Sequence, residues 1–341
     1  MLNNRMFLLS GIQVNSLVRF PLLKYSRTIA LFHKSYTYVE LGNSKELANQ
    51  CQCYADNLND LLPADTKLDV NISLPRKIPE YHKHLLLISP ENTPGADPEW
   101  KSAWQRNLEL NPVWPYSAIS DLKKCLKDTK EGQGILVNAI SLKDNHLTAE
   151  FDNKDTAQFL AIPEMKVYTI HKQNIEKFAT YIGGGKLNVQ NSKRVSFEDY
   201  LKGADVVLSN SNIKKETAAF DSVAKIPKFD GRDYLCDLFL VCGHYQRDQR
   251  CGMIAPELID KLEVQVNPKV RLGIISHIGG HKYAGNVIFY NVLGKDKEGK
   301  PKVDGLWFGK ILPDTIHALL SHLKDGKIIS DFYRGGISTR N

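Results

Sequence analysis

Several absences narrow what this 341-residue chain can be. No stretch approaches the ~18–20 consecutive apolar residues that span a bilayer, so the body of the protein is not read as membrane-spanning. No low-complexity tract interrupts a composition of 42% hydrophobic and 24% charged residues, which suits a globular protein of more than one core. No Cys-x-x-Cys occurs, and six cysteines in a chain this long do not make a disulfide scaffold. The run Gly183-Gly184-Gly185-Lys186 lacks the rest of a phosphate loop: Thr180 stands where a glycine is required and Leu187 where Ser or Thr is required. It reads as a turn or a domain edge.

The formal charge of +7 invites a nucleic-acid reading, but its location does not support one. Five basic residues (Arg5, Arg19, Lys24, Arg27, Lys34) and no acid precede Glu40, and the rest of the chain carries only +2. That remainder has no basic stripe and no basic-aromatic motif on which bases could stack, so nucleic acid is excluded as a partner. Arg and Lys interspersed with Leu, Phe and Ser, without acids, give residues 1–39 the composition of a mitochondrial presequence, in either a matrix or an intermembrane-space protein.

Hydrophobic periodicity divides the remainder. Residues 40–187 read as an α/β domain: HKHLLLIS, GILVNAISL and MKVYTIH are strand-like, and SDLKKCLKD is a helix with Ser120 as its cap. Residues 188–228 are polar and mixed, a connecting segment. Residues 229–341 form a second α/β unit in which DYLCDLFLVCG, with Cys236 in its strand, leads into a loop, and APELIDKLEVQV is a helix from Ala255. VRLGIISHIGG follows as a strand, NVIFYNVL and GLWFGKI pair, and PDTIHALLSHLKDG closes as a helix with Gly326 beyond its end. Strand, helix, strand, two strands, helix is the order of a thioredoxin-like domain.

The chemistry-bearing residues lie in that second unit. VCGHYQRDQRCG places Cys242 and Cys251 eight residues apart, and SHIGGHKYAG places His277 and His281 three apart, both pairs at strand ends. Eight intervening residues are too many for an ordinary zinc-finger hairpin. A Rieske centre needs Cys-x-His twice; Cys242-Gly243-His244 fits once, and Cys251-Gly252-Met253 does not. A [2Fe–2S] centre, a Cys242–Cys251 disulfide or thiol pair, a zinc site, and buried structural residues all stay open on spacing alone. Gly279 and Gly280 would let backbone amides approach a cofactor, and Arg247 and Arg250 would favour a reduced, more negative centre. Cys51 and Cys53 are further candidate redox thiols.

C-x8-C followed by H-x3-H resembles the sucrase/ferredoxin-like family of thioredoxin-like ferredoxins, and most resembles its fungal "altered inheritance of mitochondria" branch. Arg247-Asp248-x-Arg250, HKYAGN, LWFG and FYRGG support the likeness, which is strongest in the C-terminal third. The resemblance implies a [2Fe–2S] cluster ligated by Cys242, Cys251, His277 and His281, and an electron-transfer protein acting with redox partners rather than a dedicated enzyme. Two thiolates and two neutral imidazoles would leave the oxidised centre uncharged, with a potential above the about −400 mV of plant-type ferredoxins.

Overall fold

The computed structural model describes residues 36–42, 45–90, 104–127, 132–143, 155–184 and 228–339. The expected presequence and the connecting segment therefore lie almost wholly outside the described residues, as do Gly185 and Lys186. Gly184, with φ of +68°, turns the chain just after a helix, as a glycine there should.

The first half runs β2 (Lys83–Ile88), α2 (Ser117–Lys127), β3 (Ile135–Leu142), β4 (Thr156–Ile162), β5 (Lys166–His171) and α3 (Ile175–Ile182). The second runs β7 (Leu238–Cys242), α4 (Gln249–Gln265), β8 (Arg271–Ile275), β9 (Val287–Lys295), β10 (Pro301–Phe308) and α5 (Ile316–Lys324). Both halves have the order βαβββα. In each, the first two strands are parallel and the last two form an antiparallel hairpin beside the first. The remaining elements are β1 (Thr37–Val39), α1 (Lys45–Leu61), β6 (Arg232–Asp233), β11 (Lys327–Ile329) and β12 (Tyr333–Ser338).

The halves meet edge to edge. β3 pairs antiparallel with β8 through Ile140↔Ile275 to Leu142↔Gly273, giving one ten-stranded mixed sheet, β12-β10-β9-β7-β8-β3-β2-β4-β5-β6. Gly273 belongs in this seam: a Cβ there would sit 2.9 Å from the Ser141 carbonyl. Along β2, alternate residues enter different cores. Leu86 and Ile88 join a large cluster with α1, α4 and α5, whereas Leu85 and Leu87 pack with Trp104, α2 and α3. With four consecutive apolar residues fully buried, truncating Leu86 to Ala costs about 2–5 kcal/mol.

Three local readings change. α2 begins at Ser117, so Ser120 lies inside it rather than capping it. Cys236 is half-buried in the link between β6 and β7, not in a strand. α4 begins at Gln249 instead of Ala255, because the Asp248 side chain accepts the Arg250 N–H and caps it. Cys251 is thus in the first turn of a helix, and Pro256, a plausible start signal, lies within it.

Candidate metal centre

β7 delivers Cys242 as its last residue, level with Ile275 at the end of β8, so His277 follows two residues beyond the same edge. Backbone bonds lock this corner: Cys242 N donates to Asn286 O at 2.9 Å and Gly243 N to Ile275 O at 3.1 Å. The chain then turns through Tyr245 and Arg247 into α4, whose first turn brings Cys251 back to Cys242. Both thiols are free and fully enclosed.

The four predicted donors form a row. Cys251 hydrogen-bonds to Cys242, Cys242 neighbours His277, and the rings of His277 and His281 lie 5.7 Å apart. The Cys251 hydrogen bond, and then His277, hold Cys242 well below the ordinary thiol range; sharing that bond and losing solvent push Cys251 up. Partial burial lowers His281, which is exposed. Sulfur lies inside and imidazole outside. Among the described residues, no three His, Cys, Asp or Glu side chains are gathered closely enough to cage a single metal ion.

A buried polar atom without a partner is expensive, so such atoms mark places where something else is needed. Among the described residues four side-chain atoms are in this state, and two are here: His277 Nδ1 and Arg334 Nε. A site with two enclosed thiols and an unsatisfied imidazole nitrogen has donor types that fit a mixed Cys/His iron–sulfur centre.

Gly279 and Gly280 both have left-handed φ, +81° and +75°, which turns the chain between the two histidines. Beside Gly279 the Cβ position is open, but at Gly280 it would lie 2.8 Å from the Arg334 guanidinium. Arg334, in the FYRGG motif, is only 5% exposed. It donates to Asn286 Oδ1 at 2.7 Å, Gly279 O at 3.3 Å and Lys77 O at 3.5 Å. Burial pulls its pKa down, opposed by the charge of Cys242. Sequence reasoning quoted its motif but assigned it no role, because it is 83 residues from the nearer cysteine.

Of the other predicted neighbours, Arg250 is buried in a two-pronged pair with Asp248, at 3.0 and 2.7 Å, and also reaches Lys67 O. Its charge is thereby largely neutralised. Arg247 is exposed and held by Asn107 at 2.9 Å. His244 is buried: Nε2 faces the Trp104 and Gln105 carbonyls, and Nδ1 accepts the His277 N–H at 3.3 Å. With both nitrogens engaged, it orients the loop rather than offering a ligand.

The first half completes the surround. Trp104, Gln105 and Asn107 close over His244 and Arg247, while Asn138 on β3 donates to Ser276 Oγ at 3.0 Å and His277 O at 3.1 Å. Cys51 and Cys53 are elsewhere, on α1: Cys51 lines a cavity of about 820 Å³, mouth included, with Lys310 and Phe332, and Cys53 is exposed. Two residues apart on a helix, they face different directions.

The sucrase/ferredoxin-like family matches residues 74–335. Curated relatives named "Altered inheritance of mitochondria protein 32" are 42% identical over 308 residues in Eremothecium gossypii (90% of this chain, 95% of the relative) and 40% over 316 in Kluyveromyces lactis (91% and 92%). That of Saccharomyces cerevisiae is 39% identical over 315 residues (91% and 96%). No solved structure matches. With a family match over most of its length and relatives near 40% identity, this chain belongs to the sucrase/ferredoxin-like family.

Proposed function

We propose that this protein is a mitochondrial [2Fe–2S] carrier of single electrons, with Cys242 and Cys251 as thiolate ligands and His277 and His281 as imidazole ligands. The observation that carries the reading is the enclosed, unpartnered Nδ1 of His277 at the corner where both thiols, Cys242 and Cys251, are enclosed. The names of the relatives and the acid-free basic leader support the mitochondrial assignment. The repeated βαβββα order supports two thioredoxin-like units fused edge to edge, the second carrying the centre.

The bound group would supply the one-electron couple. The chain's residues do the rest. Enclosure of both thiols keeps water and oxidants from the sulfur side, whereas exposed His281 lies where a redox partner can approach. His244 and Asn138 hold His277 through its N–H and C=O, fixing the ring by its backbone. An imidazole ligand can release a proton from its outer nitrogen, so the potential falls as pH rises.

The test is the full-length chain purified without oxygen. The expected result is a brown protein with about two iron and two sulfide per chain, and a reduced paramagnetic signal of mixed nitrogen and sulfur ligation. A colourless protein without iron or sulfide under those conditions overturns the proposal. One observation favours a second reading, a thiol–disulfide oxidoreductase: Cys242 and Cys251 already hydrogen-bond to each other. In that case mass spectrometry of the metal-free protein finds a Cys242–Cys251 disulfide that forms and opens reversibly. A zinc-stabilised interaction module predicts one zinc per chain and no colour, and the row of donors does not favour it.

A further inference from the structure

We infer that Arg334 is the built-in counter-cation of the candidate centre, set beneath the His277–His281 loop to balance the negative charge the thiolate-bound group gains on reduction; this rests on the reading above. A buried guanidinium is normally matched by a carboxylate, since removing a charge from water is costly and only another charge offsets it well. Among the described residues no carboxylate pairs with Arg334. Its hydrogen bonds go to two backbone carbonyls and one amide oxygen, all neutral, and Nε remains enclosed and unpartnered.

Apart from the Tyr283 phenol, the groups whose negative charge acts on it are Cys242 and Cys251. Asn286 ties them together: its Oδ1 accepts from Arg334, its backbone carbonyl accepts the Cys242 N–H, and its Nδ2 donates to Gly280 O at 2.9 Å. The guanidinium thus touches the histidine loop directly and the cysteine corner through one residue. Glycine at 280 leaves the room the arginine occupies. Arg250, the other buried arginine nearby, is already paired with Asp248, so among the described residues Arg334 is the buried arginine whose charge is uncommitted. Its Nε–H is the donor left over for a sulfur acceptor.

The experiment compares reduction potential in the wild-type full-length protein, Arg334→Gln and Arg334→Lys, each reduced by dithionite against redox dyes. An added electron loses its nearby cation in Arg334→Gln, so its reduction equilibrium shifts at least tenfold toward the oxidised form, about 59 mV for one electron. Arg334→Lys keeps the charge and shifts less than threefold. A brown Arg334→Gln protein with the wild-type potential overturns the inference while leaving the cluster reading intact; a colourless wild type sinks the cluster reading and this inference with it. If Arg334→Gln does not fold, wild-type protein with ¹⁵N-arginine decides. Pulsed paramagnetic resonance of the reduced centre should detect arginine nitrogen in the wild type and lose that coupling in Arg334→Lys. No arginine coupling in the wild type, or one that persists in Arg334→Lys, overturns the role.

Discussion

The phenol oxygen of Tyr290 lies 2.6 Å from Nδ1 of His84, and both residues are fully buried. Their neighbours determine the direction of every proton in this group. Asn138 must present its amino group to the His277 carbonyl, so its Oδ1 faces His84 Nε2 at 3.0 Å and that nitrogen donates. Nδ1 is then bare and accepts the Tyr290 O–H. Tyr81 lies beside Tyr290 at Gly305, and its oxygen accepts the Trp307 indole N–H at 2.7 Å. A one-way chain of donors runs from Tyr290 through His84 and Asn138 to the backbone of His277.

Breaking that chain should be felt as stability. Tyr290→Phe leaves His84 Nδ1 without a donor and should cost about 1–3 kcal/mol in urea unfolding. Burial also lowers the His84 pKa from 6.5 to about 4. The unfolded chain therefore takes up the proton first as pH falls. The contribution is complete above about pH 6.5 and is lost progressively down to about pH 4, by up to about 3 kcal/mol. His84→Leu should be less stable at pH 7 but flatter from pH 7 to 4. An equally steep profile in the variant would refute this assignment.

Asp248 both caps α4 and neutralises Arg250. Asp248→Ala leaves a buried unpaired arginine and should lose about 3–5 kcal/mol of stability. The double variant Asp248→Ala/Arg250→Met should recover part of that loss. Chemical denaturation of the four proteins measures the coupling; additive losses would show the pair to be independent.

Replacing one neutral ligand by a charged one tests ligation. His281→Cys should retain the cluster but lower its potential towards the about −400 mV of four-thiolate ferredoxins. Cys251→Ser should lose most of its iron. Unchanged iron content in Cys251→Ser would remove Cys251 from the ligand set.

The two loop glycines should differ. Both substitutions place an alanine at positive φ, a strain of about 1–3 kcal/mol. Gly280→Ala also collides with Arg334, so it should melt below Gly279→Ala. Equal melting temperatures would show that the guanidinium moves aside freely.

Cys51 is half-buried, with its thiol pKa raised first by burial, whereas Cys53 is exposed. Maleimide labelling of the folded protein, followed by peptide mapping, should modify Cys53 several-fold faster. Mild oxidation should form no Cys51–Cys53 bridge, since the helix holds the two side chains apart. Finding that bridge with α1 intact would restore them as a redox pair.

The strands were legible because apolar runs such as HLLLI and LFLVC are bounded by polar turns, and so were the four ligand candidates, through paired spacing at strand ends. The start of α4 was missed because QRDQRC carries no apolar periodicity; its signal was Asp248, a capping residue read only as part of a charged loop. His84 and Tyr290 gave no signal at all. Each sits in a strand read for its apolar residues, and their 206-residue separation hides the hydrogen bond.

By itself the sequence determined local things: which segments bury both faces, which turns need glycine, and which side chains are candidate ligands. Only the tertiary structure decided that both halves join one sheet at β3 and β8, and that an arginine near the C-terminus lies under the histidine loop. The physical reason is range. Backbone preference and side-chain periodicity act over a few residues, whereas strand partnership and the pairing of buried charges depend on which distant surfaces exclude water together.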